Sequence, residues 1–225
     1  MSESQAVLAD HLHEQFDDPV QQKQAGLFGM WVFLSTEILF FGALFASYTI
    51  YRSMYPYEFE VASHTLNVGL GTTNTLVLIV SSLTVVMAVR SAQAGKKNWI
   101  AFFLVLTIIL GFAFLGIKAI EYYAKFQEHH VPGNGFSTAG ELAGLDIHRV
   151  QIYFVLYFAM TGLHAFHMII GIGIMTWLLV MALRGTYTPK YYTPVEISGL
   201  YWHFVDIIWI FLYPLFYLVG AHLRN

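Results

Sequence analysis

The chain has 225 residues, of which 57% are hydrophobic and 11% charged, and its mean hydropathy is +0.58. That composition excludes a water-soluble domain and leaves room for about five membrane spans of roughly 20 residues, with no separate soluble domain beside them. A net charge of −3 gives no reason to invoke nucleic acid, and zero cysteines exclude disulfides, thiolate metal sites and Cys-attached haem.

Residues 1–25 carry Glu3, Asp10, Glu14, Asp17 and Asp18 against a single Lys23, a polar acidic tail rather than a signal peptide. Five apolar stretches follow, and they predict helices over 26–51, 66–89, 98–123, 150–183 and 195–223. Together they make 26–225 one all-α transmembrane domain of five helices.

Glu37 lies mid-way along the first span, in Ser35-Thr36-Glu37-Ile38-Leu39-Phe40-Phe41. A carboxyl at that depth must be buried against protein, protonated, or both. A proton-active or lipid-headgroup contact and a neutral interhelical hydrogen bond both remain open for it. In the second span Asn67, Thr72, Thr73, Asn74 and Thr75 crowd the first turns, which suggests helix contacts rather than lipid contacts. Near the end of the third, Glu121 follows Lys118 by three residues, a spacing that suits an ion pair at the membrane surface better than a catalytic acid.

The long connection over 124–149 mixes Glu128, His129, His130, Glu141, Asp146 and His148 with Pro132 and several glycines, the chemistry of an ordered surface loop. Adjacent His129 and His130 lack a third ligand, so a solvated or partner-facing loop is expected there ahead of a metal site. In the fourth span His164 and His167 stand one turn apart near the helix centre. Haem ligation would need His203 from the fifth span, and a di-metal site would need converging carboxylates. Gly162, Gly171 and Gly173 instead favour close helix packing, with the imidazoles bonded to neighbouring helices.

The fifth span carries Tyr201, Trp202, His203, Phe204, Val205, Asp206, Ile207, Ile208 and Trp209. His203 and Asp206 share a face, so this helix must pack against a polar partner. Asp206 is expected either to fix the histidine tautomer or to accept from a Tyr or Trp of a neighbouring helix. Arg90, Lys96, Lys97, Arg184, Lys190 and Lys23 fall on one side of the membrane, against Arg52, Lys125, Arg149 and Arg224 on the other. That bias predicts the N-terminus in the cytoplasm and the C-terminus outside.

Taken in order, Gly29-Met30-Trp31, Ser35 to Phe41, Glu121-Tyr122, Thr161 to His167 with Ile169-Ile170-Gly171, and Tyr201 to Tyr213 resemble subunit III of haem-copper respiratory oxidases. The resemblance is to the five-helix bacterial type of the cytochrome c oxidase subunit 3 family. It implies a non-catalytic subunit with no redox centre of its own, haem and copper residing in partner subunits I and II. Subunit I would be packed against directly and stabilised, with proton uptake and oxygen access supported, bound phospholipid, and cytochrome c or quinol donating electrons to the complex. The location implied is the bacterial cytoplasmic membrane. Glu37, Glu121, His164, His167, His203 and Asp206 would serve as lipid-cleft or interhelical polar contacts.

Mitochondrial-type relatives have seven spans, and the missing pair forms one wall of the lipid cleft, so a lipid site at Glu37 asks a partner to supply that wall. A quinol oxidase subunit III and an accessory subunit of a nitric oxide reductase are alternatives within the superfamily. An independent membrane enzyme with a cofactor on His164, His167 and His203 is the alternative from another class.

Overall fold

A backbone amide finds no water in hydrocarbon, so each apolar run closes its own hydrogen bonds as a helix. The computed structural model describes residues 15–133 and 135–219. Among them the elements are helical throughout, apart from an isolated bridge between Thr188 and Tyr191. Glu3, Asp10 and Glu14 of the expected tail, and the last residues of the expected 195–223 helix, lie outside the described residues.

The first helix, α1 (Pro19–Met54), starts earlier than expected because Asp18 caps it. The Asp18 side chain accepts from the backbone N–H of Gln21 at 2.7 Å, and Pro19 occupies the first turn, where its missing N–H costs nothing. Its 36 residues reach about 54 Å, well beyond a hydrocarbon core of about 30 Å. Pro56 then opens a short helix, α2 (Pro56–His64), which the sequence did not announce. It is anchored from outside itself. Phe59 sits edge-on between Tyr48 and Tyr153, and Glu58 takes a 2.8 Å ion pair from Arg149.

Asn67 caps α3 (Val68–Gln93) by accepting from Leu70 N–H, and α4 (Lys97–Gln127) returns antiparallel to it. The connection expected over 124–149 is shortened from both ends. After α4 it holds a single 3₁₀ turn at Gly140–Leu142 before Asp146 caps α5 (Ile147–Arg184). His130 is not solvated, because its ring is buried and stacks on Phe154 at 5.1 Å, with Nδ1 3.0 Å from Glu128. Gly185 ends α5 in the left-handed region at φ 82°, where a side chain would be strained. The last helix is α6 (Thr193–Tyr217).

Helices α3, α4, α5 and α6 pack as a closed ring of neighbours, and α1 lies outside against α6 and α5. Burial follows that order, since 61% of the most apolar stretch of α6 is buried against 11% for α1. The C-terminal carbonyls of α6 are satisfied from two other helices. Tyr48 of α1 donates its hydroxyl to the Leu215 carbonyl and Tyr153 of α5 donates to that of Phe216 at 3.0 Å. Close packing rests on particular glycines. A Cβ on Gly171 would stand 2.9 Å from the Trp202 ring and one on Gly71 2.8 Å from Tyr217, whereas Gly173 has open space beside it.

Candidate functional site

The polar residues of α3 and α6 form a seam between the two helices. Thr72 Oγ1 and Tyr213 OH are 2.7 Å apart, Trp209 Nε1 donates to Thr75 Oγ1 at 3.1 Å, Trp202 Nε1 donates to Ser81 Oγ at 2.9 Å, and Ser82 Oγ meets His203 Nδ1 at 2.7 Å. Each indole N–H and ring nitrogen would be costly alone in hydrocarbon, and each finds a small hydroxyl on the facing helix. From Thr72 through Thr75 to Ser81 the partners on α6 descend from Tyr213 through Trp209 to Trp202, the order of antiparallel helices, so the seam also sets the register. Thr84 and Thr107 repeat the arrangement between α3 and α4 at 2.8 Å.

Asp206 stands apart from this pairing. It is 3% exposed, and neither carboxyl oxygen has a hydrogen-bond partner in good geometry, although the Ser82 hydroxyl lies close by. The partner of His203 is Ser82 from the facing helix, one residue beyond the Ser81 that serves Trp202.

A second cluster joins α4, α5 and α6. Lys118 Nζ lies 3.1 Å from Glu121 Oε2 and donates to the hydroxyls of Tyr157 and Tyr217 at 3.0 Å each. Those hydroxyls donate in turn to Glu121 Oε1 at 2.9 and 2.6 Å. The ammonium also stands over the Trp209 ring, 5.3 Å from its centroid. The ion pair expected at the membrane surface is therefore inside the bundle, both partners being 3% exposed. Its charges are compensated by two tyrosines that only tertiary packing delivers.

The two histidines of α5 face different neighbours. His164 is packed between Phe114 and Trp209 at 5.3 and 5.2 Å, and neither ring nitrogen is hydrogen-bonded. His167 turns to α1, with Nδ1 donating to the Leu163 carbonyl at 2.9 Å and Nε2 3.2 Å from Glu37 Oε2. Among the described residues no three His, Asp or Glu side chains converge as a metal-binding group.

Two grooves open on the outer faces of α6. One, of about 540 Å³ between α1 and α6, is walled by apolar side chains such as Leu34, Phe45, Phe204 and Phe211. The other, of about 380 Å³ between α3 and α6, takes in Ser82, His203 and Asp206 with an apolar surround. Glu37 lines neither, because its carboxyl is turned toward α5.

Residues 11–221 match the family described as Cytochrome c oxidase subunit III. The chain belongs to that family. It is 30% identical over 223 residues to cytochrome c oxidase subunit 3 of Thermostichus vulcanus, covering 97% of this chain and 96% of the relative. It is 29% identical over 194 residues to quinol oxidase subunit 3 of Bacillus subtilis, covering 86% and 87%. To cytochrome c oxidase subunit 3 of Gallus gallus it is 31% identical over 207 residues, which are 88% of this chain and 71% of that one. As a subunit III family member with five membrane-length helices, it is a multi-pass membrane protein whose partners are other subunits of a respiratory oxidase.

Sequence reasoning singled out Glu121, His203 and Asp206 but not what surrounds them. Ser81, Ser82 and Tyr157 were missed, although small hydroxyls recurring on one apolar helix, as at Ser81 and Ser82, are a readable sign of a helix contact.

Proposed function

We propose that this chain is a non-catalytic subunit of a bacterial aerobic terminal oxidase that holds the catalytic subunit in place and binds lipid at its outer face. One observation carries the reading. These intramembrane ionisable groups are spread over separate helix contacts, Glu37 with His167, the Lys118–Glu121 pair with Tyr157 and Tyr217, and His203 with Ser82. A redox centre or a proton relay needs ligands or carriers that converge. Groups dispersed along seams do something else: they fix which helix faces which.

Lipid binding is supported by the groove between α1 and α6, whose apolar walls suit an acyl chain. Haem and copper belong, in this reading, to partner subunits I and II, and electrons from cytochrome c or quinol enter there. Support for proton uptake and oxygen access then comes indirectly, through a catalytic subunit kept intact during turnover. A cysteine-free composition, and histidines that do not converge among the described residues, support that division of labour.

Purification of the native complex from its membrane tests the proposal. The chain is expected to copurify with haem- and copper-bearing subunits, and the chain expressed alone to show no haem absorption. Stoichiometric haem in the isolated chain, or a native preparation free of haem-bearing subunits, overturns it.

A further inference from the structure

The surface cations at the two ends of the bundle have different neighbours. On the side where α4 ends and α5 begins, Lys125 pairs with Glu128 and Arg149 with Glu58, and among the described residues Arg52 alone is left over. On the side where α3 and α5 end, Lys23 pairs with Glu196. Arg90, Lys96, Lys97, Arg184 and Lys190 are exposed there, and among the described residues none of them has an acidic partner. Basic loops orient a membrane protein wherever their charges lie, which accounts for the number of these cations but not for their grouping.

Two connections bring them together. A Cβ on Gly95, between α3 and α4, would stand 2.9 Å from Pro189, between α5 and α6, and one on Gly185 would stand 3.6 Å from Lys97 Nζ. The C-termini of α3 and α5 meet the N-termini of α4 and α6 at this end, so helix dipoles of opposite sign offset one another and the side chains set the field. Beside the charges the surface is apolar. Trp99 and Phe102 on α4 and Trp177 and Leu183 on α5 are each more than half exposed, the arrangement of an interfacial aromatic belt flanked by cations. In the connection before α6, Tyr187 is 6% exposed and its hydroxyl has no hydrogen-bond partner.

We propose that the rim where the α3–α4 and α5–α6 connections meet binds the headgroup of an anionic phospholipid, with its phosphodiester among Lys97, Arg184 and Lys190 and its acyl chains against Trp99 and Trp177. A soluble anion would use the cations and leave the aromatic surface bare, whereas a lipid covers both, and bilayer phosphates lie at the depth of such a belt. This site is separate from the apolar groove between α1 and α6. It rests on the chain spanning a membrane and not on which complex it joins.

The test uses the full chain purified in detergent and, in parallel, its native complex, with a phosphatidylglycerol that carries a photoreactive group in its headgroup. Adducts are expected on the α3–α4 and α5–α6 connections, and unlabelled phosphatidylglycerol competes them away while phosphatidylcholine does not. Each cation near an anionic lipid strengthens binding roughly fivefold, so the triple variant Lys97→Gln, Arg184→Gln, Lys190→Gln needs roughly a hundredfold more probe for half-saturation. All three residues are exposed, so the variant melts with the parent. Lys97→Arg keeps the labelling, and Arg52→Gln, in the last turn of α1 on the other side, leaves it unchanged.

Equal labelling by the matching phosphatidylcholine probe overturns the proposal, and so does full labelling of the triple variant. Competition by inorganic phosphate as strong as that by phosphatidylglycerol would assign the rim to a free anion and overturns it too. The variant Glu3→Gln, Asp10→Gln, Glu14→Gln is expected to label like the parent. A tenfold gain there would make the chain's own acidic N-terminal residues the occupant, against the proposal. Labelling of the isolated chain but not of the complex would give the rim to an acidic segment of another subunit, and refutes the lipid site without touching the oxidase reading.

Discussion

Glu37 Oε2 and His167 Nε2 face each other at 3.2 Å across the contact between α1 and α5. The other ring nitrogen, Nδ1, donates to the Leu163 carbonyl. A neutral ring so bonded has a bare Nε2, and two acceptors do not sit that close in a medium of low dielectric. The two are a close polar contact that is not aligned as a hydrogen bond, and a proton on either one makes it attractive. Glu37→Gln puts an amide in the place of the carboxyl, whose N–H can donate to Nε2. It should leave the assembled oxidase active and the chain retained. Glu37→Leu strands His167 Nε2, and it should lower stability by about 1–3 kcal/mol. Thermal melting of the purified complex reads both, and equal losses for Gln and Leu would count against an attractive contact.

Lys118 and Glu121 provide a test by rescue. Lys118→Met leaves a carboxylate buried beside two tyrosine hydroxyls, and Glu121→Leu leaves a buried ammonium. Each single change is expected to cost about 3–5 kcal/mol, because an uncompensated charge remains in the interior. The double substitution removes both charges and should recover most of the loss. A double-mutant cycle on the melting of the isolated chain in detergent measures the coupling. Additive losses would place the pair in a solvated setting, contrary to its 3% exposure.

Gly171 and Gly173 lie on the same helix and predict opposite outcomes. A methyl at 171 meets the Trp202 ring at 2.9 Å, and a methyl at 173 meets nothing within 4 Å. Gly171→Ala should destabilise by about 1–3 kcal/mol through overpacking, and Gly173→Ala should stay within about 0.5 kcal/mol. Melting of the two variants side by side decides it.

Tyr48 and Tyr153 reach the C-terminal carbonyls of α6 with their hydroxyls. Tyr→Phe at either position removes one donor and little volume, for an expected loss of about 1 kcal/mol each. Faster hydrogen exchange at the end of α6 is the specific readout, since a general loss of packing would raise exchange in the other helices as well.

Topology follows from charge. A reporter active only outside the cytoplasm, fused after Asn225, should be active if the basic loops after α3 and α5 face inward. Activity of a cytoplasm-specific reporter at the same place would reverse the orientation.

The number of spans was legible because five runs are too apolar to be anything but spans, and the break between α1 and α2 was not. Pro56 ends a helix visibly, yet α2 is held by Phe59 between Tyr48 and Tyr153, contacts that no local pattern encodes. His164 and His167 illustrate a related limit. Helical spacing placed them near one another, but it could not tell that one would face Trp209 and the other Glu37, since that depends on which helices flank α5.

The sequence by itself determined the solvent, the all-helical class and the family, because composition sets where a chain can dissolve and ordered motifs over its length identify kin. It also marked Glu37, Glu121, His164, His167, His203 and Asp206, since ionisable groups in hydrocarbon stand out against their surroundings. Tertiary structure alone decided the partners. Whether a buried group is a paired charge, a packed ring or an unmet acceptor depends on side chains brought in from distant sequence. Tyr157 and Tyr217 reach Glu121, and Ser82 of α3 reaches His203 and lies beside Asp206.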